Sequence, residues 1–76
     1  MNAQRRKDIA KAIALIEEAI AILDNVAEEE REAFDNLPES LQYSERREQM
    51  EECADAIENV SRELTDQIDN LNDAIE

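Results

Sequence analysis

The sequence predicts an all-α fold: an antiparallel two-helix hairpin, coiled-coil-like, that dimerises into a four-helix bundle. Three observations carry this expectation. The first is a pair of stripes that mirror each other. One steps through Ile9, Ile13, Ile16, Ile20, Leu23, Ala27, Glu30 and Phe34; the other through Met50, Ala54, Ile57, Ser61, Leu64, Ile68, Leu71 and Ile75. Both advance by alternating long and short helical steps, which is the a/d stripe of a heptad repeat. Paired from the outside inward, Ile9 with Ile75 through to Phe34 with Met50, the two positions always add to 84. A constant sum means that the second stripe runs back along the first. The second observation is the near absence of helix breakers: glycine is missing and Pro38 is the sole proline. The third is apolar surface that one seam does not use.

The chain reads as a single domain over residues 1–76, with a helix over about 3–35, a loop over 36–44 and a second helix over about 45–74. The first helix opens on Arg5, Arg6, Lys7 and Lys11, where positive charge opposes the helix dipole. In the hairpin this end lies beside Asp66, Asp69, Asp73 and Glu76, which oppose the dipole of their own helix end. Pairing between the two ends is expected to favour the antiparallel register. Pro38 disfavours helix at Leu37, so the first helix stops just before it. Leu37, Leu41 and Tyr43 make the connection apolar, suited to plugging the end of the hairpin or to touching a partner. Tyr43 is placed to staple against Met50 or Phe34. Ser44 is the expected N-cap of the second helix, with Glu45 and Glu48 in its first turn.

Two layers of the seam are poor, since Leu23 meets Ser61 and Glu30 meets Ala54. A carboxylate at a core position is costly unless it reaches water or a base. Arg31 and Arg47 are candidate partners; the stronger expectation is that the hairpin splays near Glu30, with Ala27 and Ala33 as neighbours, and that the charge snorkels out.

Beside the seam of the first helix runs a second stripe, Ala12, Leu15, Ala19, Ile22, Val26 and Ala33, at heptad positions g and c. The second helix adds Cys53, Ala56, Val60 and Ala74. A lone hairpin would leave this face open, and soluble monomers rarely do so. Leu15, Ala19, Ile22, Val26 and Val60 are the expected interface of a homodimer.

Composition excludes several functions. The chain carries 21 acids against 8 bases, a net charge of −13, and has no histidine. Residues 39–76 hold 12 acids and 3 bases, a net −9. Such a surface repels nucleic acid and anionic lipid and attracts basic proteins. Glu51, Glu52, Asp55, Glu58, Asp66, Asp69 and Asp73 form the expected acidic partner face for a basic host protein. Without histidine the usual near-neutral base and the usual metal ligand are missing. Inward Glu-x-x-His pairs, calcium-loop spacing, glycine-rich phosphate loops and nucleophile elbows are absent as well. The expectation is a non-enzyme without cofactor or metal. Cys53 is the sole cysteine and reads as an inert thiol tucked beside the core of a protein kept in a reducing cytoplasm. Ile9 to Leu23 is interrupted by Lys11, Glu17 and Glu18, so neither a signal peptide nor a membrane span is expected.

The turn Asp35-Asn36-Leu37-Pro38-Glu39-Ser40-Leu41-Gln42-Tyr43-Ser44-Glu45-Arg46 follows Glu28-Glu29-Glu30-Arg31-Glu32-Ala33-Phe34 and precedes Glu48-Gln49-Met50-Glu51-Glu52. In these segments the chain resembles a group of small acidic helical proteins encoded by phages, prophages and other mobile elements of bacteria. The likeness covers most of the chain, and the Asn-Leu-Pro-Glu-Ser-Leu-Gln turn is its specific part. The group usually has a glycine near Arg47, and its absence here implies a more regular start to the second helix. The resemblance implies a mobile-element accessory protein and assigns no activity to any residue. The expected function is a homodimeric interaction or scaffolding module. The alternative is an acidic mimic of nucleic acid that blocks a host DNA-binding, RNA-binding or defence protein.

Overall fold

A computed structural model describes residues 1–41 and 44–76. Helix α1 spans Ala3–Asp35 and helix α2 spans Glu45–Ile75, with one 3-10 turn at Glu39–Leu41 between them. The two helices pack side by side in a rod 60 × 15 × 12 Å. Its radius of gyration is 17.4 Å, against about 11 Å for a compact chain of this length.

The seam is the one written in the sequence. All sixteen a/d residues, from Ile9 to Phe34 and from Met50 to Ile75, are buried or half-buried. The core is nevertheless thin. Only Ile13, Ala27, Ala54 and Ser61 are buried among the described residues. The other seam side chains keep one edge in solvent, because two helices enclose a line and not a volume.

Each helix end is capped in its own way. Asn2 accepts a hydrogen bond at Oδ1 from the backbone N–H of Arg5, 2.8 Å away, and so caps α1. Asn36 ends α1 by donating its backbone N–H to the carbonyl of Glu32 at 3.0 Å. Pro38 then starts a tight turn, in which the Leu41 N–H reaches the Pro38 carbonyl at 2.8 Å. Ser44 holds the N-cap position of α2 with extended backbone, but its side chain does not cap the helix. Its hydroxyl instead donates backward to the Leu41 carbonyl at 2.6 Å. A local acceptor in the tight turn outcompetes the helix N–H groups, as serine hydroxyls often allow.

Both poor layers are closed, and the splay expected at one of them is absent. Ser61 is buried, and its hydroxyl donates to Asp24 Oδ1. The polar group in the seam is thereby satisfied. The hairpin does not splay at Glu30: Ala54 opposite is 1% exposed, and Glu30 stays half-buried. The small Ala54 side chain opposite leaves room for the seam to close there.

Candidate interaction surfaces

The two flanks of the seam differ in chemistry. Heptad lettering sorts them, with Ile13, Ile20 and Ala27 of α1 and Ala54, Ser61 and Ile68 of α2 at position a. In an antiparallel pair, e positions of both helices fall on one side of the seam and g positions on the other.

The e side is polar and stitched. Arg31, at e, donates through Nε and a terminal nitrogen to the two carboxylate oxygens of Glu58, also at e, each at 3.1 Å. The same terminal nitrogen donates to Asp55. The hydrogen bonds from Arg31 hold the Glu58 carboxyl below its usual range, against an opposing effect of desolvation. Hydrogen bonds to Glu58 and then Asp55 hold the Arg31 guanidinium above its usual range. Asp24, the acceptor of Ser61, occupies e as well. Nearer the turn, the Arg47 guanidinium stacks over the Phe34 ring, 4.7 Å from its centroid.

The g side is apolar and open. Ile22 is 63% exposed, Leu15 57%, Val60 45% and Val26 41%. Ala19 is exposed between them. Register places Val26 of α1 across from Val60 of α2, and Ala33 across from Cys53. The five expected interface residues therefore share one face of the rod. Cys53 is also exposed, contrary to the tucked thiol expected. Its g position is flanked by one helix only, so nothing in a single hairpin covers it.

The acidic face divides in two. Glu51, Glu52, Asp66, Asp69 and Asp73 are exposed, whereas Asp55 and Glu58 are engaged by Arg31 inside the hairpin. At the open end the expected charge pairing does not form contacts. Among the described residues the ion pairs are those of Arg31 alone. Arg5, Arg6, Lys7 and Lys11 are exposed, as are Asp66, Asp69, Asp73 and Glu76. Fixing long solvated side chains costs entropy that an exposed pair scarcely recovers.

At the turn, Leu37 is half-buried and Leu41 is exposed, so only the first serves as a plug. Tyr43, the third expected loop contact, lies outside the described residues. No cavity, and no group of three or more acidic or thiol ligands placed to hold a metal, occurs among the described residues. No helix is long and apolar enough to cross a membrane. Compared with protein-family models, curated proteins and solved structures, the chain finds no match.

Proposed function

We propose that this chain is a non-enzymatic protein-interaction or scaffolding module that works as a homodimer, two hairpins forming a four-helix bundle. The supporting observation is the contiguous apolar face made by Leu15, Ala19, Ile22, Val26 and Val60. The total surface agrees with it. The hairpin exposes 5799 Å², whereas a compact protein of its mass exposes about 4,700 Å². The excess, about 1,000 Å², is similar to one partner's share of a specific interface, about 800 Å². The likeness of the turn to mobile-element proteins supplies the setting, an accessory protein acting in a bacterial cytoplasm. Light scattering at tens of micromolar is expected to give twice the 8.7 kDa chain mass. A fully helical monomer under those conditions rules the reading out.

The exposed row of Glu51, Glu52, Asp66, Asp69 and Asp73 supports a second reading, in which the chain mimics nucleic acid and occupies a basic groove of a host protein. Such binding falls steeply with salt. Affinity for a basic DNA-binding protein that is unchanged between low and high salt counts against it.

A further inference from the structure

We infer that the seam holds a second register, one heptad along from the first, and that Leu71 and Ile75 at the open end select between the two. Sliding α2 seven residues toward the open end lowers the constant sum from 84 to 77. Seven residues is one heptad, so the same side chains stay on the seam. Ile9, Ile13 and Ile20 then meet Ile68, Leu64 and Ile57, which are aliphatic again. Leu23 and Met50 each meet an alanine, a large side chain on a small one. Glu30, which faces Ala54 in the first register, meets Arg47 in the second.

The polar e side repeats at the same interval. Arg31 binds Glu58 and Asp55. One heptad earlier, at the equivalent positions, stand Glu51 and Glu48, both exposed. Ser61 donates to Asp24, and one heptad before Asp24 stands Glu17, a carboxylate again. The arginine fork and the serine bond therefore both find acceptors after the slide. Sliding the other way brings Arg31 level with Thr65 and Arg62, so the repeat runs in one direction only.

The first register keeps one advantage at each end. At the open end Leu71 is level with Ile13 and Ile75 with Ile9, all buried or half-buried. After the slide Leu71 and Ile75 come beside Arg6 and Asn2. Near the turn Arg47 gives up its stack on Phe34 in exchange for Glu30. Neither helix has to change. The start of α2 moves from just beyond the end of α1 to just short of it, and the residues between Asp35 and Glu45 reach about 30 Å when extended.

The slide also re-cuts the open face. Val60 passes from beside Val26 to beside Ala19, and Glu63 from beside Ile22 to beside Leu15. A hairpin with two registers offers two different faces, and a partner that binds one of them better draws the hairpin into it.

The test uses full-length protein carrying Cys53→Ser, Lys11→Cys and Glu52→Cys, with a nitroxide on the exposed back of each helix. An excess of unlabelled protein restricts pulsed electron paramagnetic resonance to distances within one chain. Along the rod the labels stand about 31 Å apart in the first register and about 21 Å apart in the second, from a rise of about 1.5 Å per residue. Leu71→Gln with Ile75→Gln removes the selecting side chains and is expected to bring up the shorter distance. Ala54→Leu reaches the same end by another route. Ala54 is 1% exposed, so a leucine has no room opposite Glu30, whereas after the slide it meets Leu23. Glu51→Lys, added to the open-end pair, sets a lysine against Arg31 in the second register alone and is expected to reduce the share of the shorter distance. Variants that stay helical by circular dichroism and keep the longer distance overturn the inference. Loss of helix in both variants overturns it too, because the second register is then not a folded state. A shorter distance that Glu51→Lys leaves undiminished overturns the assignment of register. None of these results touches the homodimer reading, which stands or falls on the mass in light scattering.

Discussion

The e side and the g side of this seam are built from the same two helices and hold opposite chemistries. On the e side Arg31 draws Glu58 and Asp55 from α2, and Asp24 accepts from Ser61. Every polar contact there closes within one hairpin. On the g side Leu15, Ile22, Val26 and Val60 stand in solvent, with nothing among the described residues to cover them. Polar groups that find partners leave a surface content with water, whereas aliphatic groups that find none leave a surface that gains by meeting another. Distribution of chemistry around the seam, more than the seam itself, is what the homodimer proposal rests on.

Three substitutions pull the two sides apart. The largest effect is expected from Ile22→Glu on the g side. It removes a burial worth about 1.5–3 kcal/mol from each of two copies, so the dissociation constant rises about 10²–10⁴-fold. Sedimentation or light scattering against concentration reads this directly. Dimerisation unchanged by Ile22→Glu would place the interface elsewhere. Next comes Ile13→Ala in the seam between the sides, expected to cost about 2–5 kcal/mol in urea denaturation at fixed protein concentration. A smaller loss would mean that the thin core collapses around the cavity.

The smallest effect belongs to the e side, at Arg31→Gln. These groups are well solvated, and the melting temperature at neutral pH is expected to shift little. Their signature is in acid. The Glu58 carboxyl titrates below its unfolded value, so its contribution is complete above the ordinary glutamate range and is lost as pH falls through the lowered one. Protonation of the many other carboxylates relieves self-repulsion and acts the other way. The difference between the parent and Arg31→Gln isolates the bridge: it is largest near neutral pH and closes in acid. Parallel acid curves would show that Arg31 contributes nothing through Glu58.

Spacing made the seam legible. Helical periodicity fixes which residues share a face, and two mirrored stripes fix which faces meet. The open g-side stripe was legible for the same reason. Other features were not, because spacing does not choose between acceptors. Ser44 stands at the cap position that the sequence indicates, yet its hydroxyl turns back to Leu41. Arg31 was a candidate partner for Glu30 next to it, and reaches across the seam to Glu58 instead. Adjacent helix positions face apart by about 100°, so a neighbour in sequence is a poor partner in space. The lysine and arginine cluster at the open end had matching acids at the matching level, but level is not contact when both sets point into water. Cys53 is exposed rather than tucked beside the core, because a g position is covered only when a third helix arrives.

The mirrored register also sets an order of events in time. Phe34 and Met50 are 16 residues apart in the chain, whereas Ile9 and Ile75 are 66 apart. A layer beside the turn forms across a short loop, and each later layer adds little further closure cost once its neighbour is in place. The rod therefore zips from the turn toward the open end. Substitutions near Ala54 are expected to slow folding, and those near Leu71 to hasten unfolding instead. Amide exchange should be fastest around Ile9 and Ile75, at the open end, and slower toward the turn.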